Sequence, residues 1–271
     1  MPFRMNRRTF LRGAVAAVAA GAVGTPLVLH GIRTHAIEEK TVRFTLGLRQ
    51  RLRLVALGDI HFDPLYEVEY LAGLARAITA LEADLIVYTG DFVTGSVRRM
   101  SELAGILSGA TARLGSFATL GNHDHWAGAA PITHALAQNG IRVLRNDLFA
   151  LPGEDHVYLT GLDSVWAGKP DPRLLERTPP DSRHIVLLHE PDPFAQLTDP
   201  RLRLQISGHT HGGQVRAPLV GALVLPKYGR HFQSGLYLRD NRGLYVNRGI
   251  GTLYPHVRYR CRPEVTVFEL T

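Results

Sequence analysis

Apolar residues along this chain fall into short runs separated by helical patterns, and several runs end on a glycine or a histidine. Leu52–Leu57 reads as a buried strand stopping at Gly58. Val68, Leu71, Leu74, Ala75, Ile78 and Leu81 then recur at three-to-four spacing, the mark of an amphipathic helix. Leu85–Tyr88 is the next strand and leads straight into Gly90-Asp91. A weaker helical pattern through Met100, Leu103, Ile106 and Leu107 precedes a strand over 117–120, followed by Gly121-Asn122-His123-Asp124. Farther on, the pattern predicts a helix over about 131–139 and strands over 141–144, 148–151 and Val157–Gly161. A strand over 184–188 ends at His189, and Leu202–Ser207 ends at Gly208-His209. Three tail strands, 235–238, 244–247 and 265–270, complete the reading, while Glu38, Glu39 and Lys40 read as a polar link.

Asp59 and Asp91 are 32 positions apart, and Asp91 and Asn122 are 31 apart, each close to one strand-helix-strand unit. Successive parallel strands would then bring their C-terminal ends, with these side chains, to one sheet edge. Glycine precedes the polar residue at Gly58, Gly90, Gly121 and Gly208, where a missing Cβ permits close backbone approach. A lone Gly-Asp pair is usually only a turn. Gly208-His209-Thr210-His211-Gly212-Gly213 is far more specific, because two imidazoles alternating with Thr210 are able to diverge toward neighbouring ions. The five segments together supply oxygen and nitrogen donors sufficient for two metal ions, and the mixture suits Mn, Fe or Zn better than Ca. The chain therefore reads as a metal-dependent hydrolase.

The 271 residues are 45% hydrophobic, enough for one large domain with a full core. A net charge of +7 suggests nucleic acid until its location is considered. Arg4, Arg7, Arg8, Arg12 and Arg33 precede the first acid, Glu38; removing these five from 31 basic residues leaves 26 against 24 acidic ones. With no evident basic stripe carrying stacking aromatics, no nucleic-acid partner is expected. The early arginines belong to Asn6-Arg7-Arg8-Thr9-Phe10-Leu11-Arg12, followed by an uncharged stretch over 13–29 rich in Ala, Gly and Val. Residues 1–36 read as a leader and 37–271 as the folded domain. The adjacent arginines resemble a twin-arginine export signal, which implies the translocation machinery as a partner and a place in the periplasm or on the outer face of the cytoplasmic membrane. A single membrane anchor is the alternative, and an uncleaved leader would leave the protein tethered. Cys261 is the only cysteine, so no intrachain disulfide forms.

The ordered set D-x-H, G-D, G-N-H-[DE], His and G-H-x-H resembles the calcineurin-like metallophosphoesterase superfamily over about residues 52–212. The tail from Leu244 to Gly251 is similar to that of its exported, twin-arginine branch. The resemblance implies an αββα sandwich of four layers with a dinuclear metal site at the strand ends. It implies that Asp59, His61 and His211 hold one divalent ion, that Asn122, His189 and His209 hold the other, and that Asp91 bridges them. His123 would donate a proton to the leaving oxygen or stabilise the transition state, with Asp124 orienting it. His125 and Trp126 would line the substrate groove. Two dications against Asp59 and Asp91 leave a net positive pocket, fit to bind phosphate and to hold a metal-bridging hydroxide. The expected activity is a phosphodiesterase acting on an envelope-associated, lipid- or wall-linked phosphate ester. Pyrophosphatase action on a UDP-2,3-diacylglucosamine-type substrate, phosphomonoesterase action, and a metal-stabilised envelope-binding protein without turnover are the alternatives.

Overall fold

The computed structural model describes residues 36–62 and 68–271. The expected leader, including Arg7 and Arg8, lies outside the described residues. Strand β1 (Glu38–Phe44) is followed by β2 (Leu52–Leu57), helix α1 (Val68–Thr79), β3 (Leu85–Tyr88), α2 (Met100–Leu107), β4 (Ser116–Ala118), α3 (Asn122–Gln138) and β5 (Ile141–Val143). Strands β6 (Asp147–Ala150), β7 (Val157–Gly161), β8 (Arg183–Leu187) and β9 (Leu202–Ser207) come next. A two-stranded ribbon, β10 (Arg216–Ala217) with β11 (Gly221–Ala222), precedes β12 (Gly235–Arg239), β13 (Arg242–Val246) and β14 (Glu264–Leu270).

Two six-stranded sheets result, ordered β1-β14-β2-β3-β4-β5 and β12-β13-β9-β8-β7-β6. Strands β2 to β5 run parallel in sequence order, as the 31- and 32-residue spacings require, and β7, β8, β9 and β13 form the parallel centre of the second sheet. Strand alternation assigns the faces. Leu54 and Ala56 of β2 enter the core between the sheets, with Leu85, Val87, Ile185, Leu187, Leu204 and Ile206. Val55 and Leu57 face the other way, toward Leu71 and Ile78 of α1, Leu103 and Leu107 of α2, and Ile132 and Leu136 of α3. The outer face of the second sheet carries Val186, Leu188, Leu244 and Val246 under Leu175, Phe194 and Phe232. Short 3-10 turns, Pro172–Arg177 and Asp192–Ala195, supply Leu175 and Phe194 there. The four-layer order holds, with a thin fourth layer.

Three elements differ from the sequence reading. The segment read as a polar link is edge strand β1, parallel to β14, and buries only Val42 fully. An edge strand that buries so little carries almost no alternation signal. Helix α3 begins at Asn122 and not near Pro131; it bends at Gly128 (φ 136°) just ahead of that proline, so the periodic pattern restarts midway. The β10-β11 ribbon is too short to leave a periodic trace.

Candidate metal centre

All the implied ligands lie at the C-terminal ends of strands from both sheets. Asp59 and His61 follow β2, Asp91 follows β3, Asn122 opens α3 after β4, His189 follows β8, and His209 and His211 follow β9. All seven are buried. Five have a left-handed backbone: Asp59 (φ 48°), His61 (46°), Asp91 (54°), His209 (72°) and His211 (51°). That conformation costs about 1–3 kcal/mol per non-glycine residue and persists only where surrounding structure enforces it. Here the enforcing bonds are Asp59 N–H to the Gly90 carbonyl (2.9 Å), His61 N–H to the Asp91 carbonyl (3.0 Å) and Gly251 N–H to the Asp59 carbonyl (2.8 Å). Gly121 allows a close approach to a ligand: a Cβ there would stand 2.1 Å from Asp91 Oδ1. Gly90 combines φ 92° with a Cβ position 2.4 Å from the Gly121 nitrogen, so neither position accepts a side chain.

Backbone carbonyls fix the imidazole tautomers. His189 Nδ1–H donates to the Thr89 carbonyl (2.6 Å), and His209 Nε2–H donates to the Lys227 carbonyl (2.7 Å). A carbonyl only accepts, so in each neutral ring the opposite nitrogen carries a lone pair. Those opposite nitrogens, His189 Nε2 and His209 Nδ1, face each other at 3.2 Å. His61 Nε2 and His211 Nε2 form a second pair at 3.1 Å. Asp91 Oδ2 lies between the pairs, 3.1 Å from His189 Nε2 and 3.5 Å from His61 Nε2. Asp59 Oδ1 is 3.8 Å from His211 Nε2 and 4.0 Å from His189 Nε2. The donor atoms of Asp59, His61 and His211 all fall within 4.8 Å of one another, as do those of Asp91, His189 and His209.

The electrostatics favour a cation among these atoms. Burial pushes His61 down to about 3 and His209 down to about 4, so both are neutral donors at pH 7. His211 is likewise held well below its ordinary value by burial and by His61. Burial, with the neighbouring Asp91 charge, raises Asp59 to about 7 against the pull of His189. Burial works against ionised Asp91 and against protonated His189, yet their mutual attraction prevails, holding Asp91 below and His189 well above their ordinary ranges. Asn122 Oδ1 and His211 Nδ1 are buried without a hydrogen-bond partner. Such orphaned acceptors are rare, and a buried, unpartnered carboxamide oxygen on the residue that precedes His123, whose N–H bonds Asp91 Oδ1, fits a metal ligand.

Residues around the cluster depart from expectation in instructive ways. Asp124 does not touch the His123 ring. Its carboxylate accepts the N–H groups of Gly121 (2.9 Å), Asp91 (2.8 Å) and Phe92 (2.8 Å), capping α3 and pinning the Asp91 loop. The His123 ring is oriented by Thr94, whose carbonyl accepts from Nδ1–H at 2.7 Å, while the His123 backbone N–H donates to Asp91 Oδ1 at 2.9 Å. His125, expected at the groove, is turned into a hydrogen bond from Nε2–H to Asp163 (2.6 Å), which also accepts from Arg145 (3.0 Å) and the Lys169 N–H (3.0 Å). Those partners outweigh burial and keep Asp163 ionised. Trp126 is at the rim, 54% exposed, with ring centroids 4.9 Å from His123 and 5.1 Å from Trp166. Trp166 continues the wall to His209 at 5.7 Å. Glu190 is buried and accepts from Ser164 Oγ–H and the Val165 and Trp166 N–H groups, so it sets the loop that presents Trp166.

Arg258 went unnoticed in the sequence. Fully buried behind the cluster, it donates to the carbonyls of Gly251 (2.6 Å), Arg248 (2.8 Å), Gly249 (3.1 Å) and His211 (3.4 Å). Nothing in its local sequence separates it from a solvated arginine. Asn247 was also missed as a support; its Oδ1 accepts from Gly249 N–H (2.7 Å) and its Nδ2–H donates to Thr266 Oγ1 (2.8 Å).

Comparison with known proteins adds independent findings. The calcineurin-like phosphoesterase family matches residues 52–213. The chain is 33% identical to an uncharacterized metallophosphoesterase, YkuE, of Bacillus subtilis, over 98% of each chain. It is 32% identical to the phosphodiesterase YaeI of Escherichia coli, over 80% of this chain and 82% of that one. The solved structure of TT1561 from Thermus thermophilus superposes with a TM-score of 0.51 at 14% identity, over 74% of this chain and 91% of that one, a likeness of fold alone.

Proposed function

The chain belongs to the calcineurin-like phosphoesterase family, and from that premise we propose that it is a two-metal phosphodiesterase acting on an envelope-associated phosphate ester. The observation that carries this reading is the Asp91 carboxylate lying between two facing imidazole pairs, with the Asn122 oxygen buried and unpartnered. Asp59, His61 and His211 are assigned to one ion, Asn122, His189 and His209 to the other, and Asp91 to both. Two divalent ions bound there, whether Mn, Fe or Zn, supply an acidified water and charge stabilisation for a phosphoryl oxygen.

The protein's own groups divide the remaining work. His123, with Nδ1–H tied to the Thr94 carbonyl, keeps Nε2 for the substrate and is assigned the proton donated to the leaving oxygen. Asp124 acts on geometry, fixing the backbone of Asp91 and the start of α3. Trp126 and Trp166 form an apolar shelf beside His123, suited to the organic group on the leaving side of a diester. The match to a phosphodiesterase over four fifths of both chains supports the diester. Arg7-Arg8 and the apolar stretch after them support export through the twin-arginine machinery, with association to the membrane where the leader is retained.

The test is parallel hydrolysis of bis-p-nitrophenyl phosphate, p-nitrophenyl phosphate and a lipid-linked sugar diphosphate by purified chain reconstituted with Mn, Fe or Zn. Preference for the diester is expected. Strong preference for the monoester overturns the diesterase assignment, and preference for the diphosphate moves the enzyme among pyrophosphatases. Export is checked separately by fractionating cells that express Arg7→Lys/Arg8→Lys; accumulation outside the cytoplasm at the parent level would reject the twin-arginine route.

A further inference from the structure

The segment that joins the two halves of the metal centre carries an apolar surface the hydrolytic chemistry does not use. Among the described residues nine large apolar side chains are exposed, and four of them fall within six positions: Leu219 (109%), Val220 (73%), Leu223 (46%) and Val224 (68%). They occupy the tip and return arm of the β10-β11 ribbon, whose two short strands pair only with each other. Proline, glycine and apolar residues make up the whole run Ala217-Pro218-Leu219-Val220-Gly221-Ala222-Leu223-Val224-Leu225-Pro226, with no charge in ten positions. A monomer in water gains nothing by presenting such a tip.

Both ends of this ribbon are tied to the metal centre. It departs directly from His211-Gly212-Gly213, and Arg216 Nη1–H returns to the Gly212 carbonyl at 2.8 Å. It comes back to Lys227, whose carbonyl holds His209 Nε2–H at 2.7 Å. The apolar tip is thus a short projection from the edge where the phosphate ester would react. The sequence that flanks it is strongly basic. Between Gly208 and Arg262 there are nine Lys and Arg residues against a single acid, Asp240. Arg258 is buried and Arg248 is paired with Glu38 and Glu264, whereas Lys227, Arg230 and Arg260 are exposed in the segments that flank the ribbon or pair with its base, with Asp192 accepting the Arg230 N–H beneath them. Tyr254, 89% exposed, lies near the base of the ribbon, because Gln214 Nε2–H donates to the carbonyls on either side of it, Leu253 (2.8 Å) and Pro255 (2.9 Å).

We infer that the β10-β11 ribbon is a membrane-docking element: Leu219, Val220, Leu223 and Val224 enter the acyl boundary of an anionic bilayer, while Lys227, Arg230 and Arg260 meet its headgroups. An apolar tip, flanking cations and an interfacial tyrosine are the combination that holds a protein on a lipid surface without spanning it. Stacking aromatics, which a nucleic-acid strand would need, are absent from the tip. Docking in this pose turns the metal centre toward the bilayer, so the substrate it favours is a phosphate ester anchored in lipid. That last step rests on the hydrolase reading; the docking itself does not.

The experiment uses the full chain with an environment-sensitive fluorophore on Leu219→Cys, since Cys261 is buried and escapes labelling. A Ser108→Cys label, beyond the C-terminal end of α2, serves as the remote control. Adding vesicles of phosphatidylcholine containing phosphatidylglycerol should blue-shift the 219 label and expose it to quenching by brominated lipid, leaving the 108 label unchanged. Lys227→Glu/Arg230→Glu in the same background should raise the lipid concentration for half the shift by at least about thirtyfold, at about 1 kcal/mol for each of the two interfacial cations lost. The combined Leu219→Ser, Val220→Ser, Leu223→Ser, Val224→Ser variant should retain hydrolysis of soluble bis-p-nitrophenyl phosphate and lose its advantage on a vesicle-embedded phosphodiester. A water-like 219 label at every lipid concentration overturns the proposal. So does a shift that follows protein concentration without lipid, which assigns the ribbon to a second copy, or a shift produced by DNA. Parent chain that docks but hydrolyses no soluble diester leaves docking intact and rejects the hydrolase reading.

Discussion

The two sheets contribute different chemistry to one centre. The first, backed by three α-helices, supplies Asp59, Asp91, Asn122 and a single imidazole, His61; the second, backed by 3-10 turns, supplies only imidazoles, His189, His209 and His211. Carboxylates on one side and imidazoles on the other meet only when the sheets pack. Several of the bonds that cross the seam are made by the ligand residues themselves: His209 N–H to the Asp59 carboxylate (2.9 Å), His189 Nδ1–H to the Thr89 carbonyl (2.6 Å), and the His61 to His211 pair (3.1 Å). Metal affinity should therefore report packing between the sheets more sensitively than packing under the helices.

The largest effect expected is on Asp91, which faces both imidazole pairs. Asp91→Ala should lower kcat on a soluble diester on the order of a thousandfold or more, with loss of bound metal by elemental analysis. The comparison of sheets is sharpened by two matched truncations. Leu204→Ala, in the core between the sheets, and Leu103→Ala, under α2, should each cost about 2–5 kcal/mol by urea denaturation. Only the first should also weaken metal binding; equal weakening would break the argument about the seam. Arg258→Met comes next, at about 1–3 kcal/mol, because it leaves the carbonyls of Gly249, Gly251 and His211 without their buried donor.

The smallest effect is in pH. Asp59, raised to about 7, stabilises the metal-free fold while it is protonated; that contribution is full below about 4 and is lost as pH rises through about 7. His189, held well above its ordinary value, follows the same sign at higher pH. Metal binding must ionise the first and strip the proton from the second, so affinity should rise with pH through 7. Calorimetry at pH 6 in buffers of different ionisation enthalpy should show proton release on loading. Proton uptake, or none, would contradict the assignment of these two residues.

Much of the centre was legible because metal ligation demands particular side chains at strand ends, and the strands announce themselves as apolar runs. The spacing of Asp59, Asp91 and Asn122 gave the parallel order of β2, β3 and β4. What escaped lacks periodicity or is defined by tertiary contact. Strand β1 was hidden by its polar edge, and α3 by the break at Gly128. Arg258 differs from a surface arginine only through the carbonyls around it. Asp124 and His125 were placed in the right neighbourhood with the wrong contacts, because adjacency in sequence does not say which ring meets which carboxylate.

The central claim, a pair of ions shared across the two sheets, is tested most directly by electron paramagnetic resonance of the Mn-reconstituted chain together with its metal stoichiometry. Two Mn per chain with an exchange-coupled spectrum, as expected for ions about 3.5–4 Å apart and abolished in Asp91→Ala, is the predicted result. A single uncoupled Mn signal in the fully loaded parent protein would contradict it.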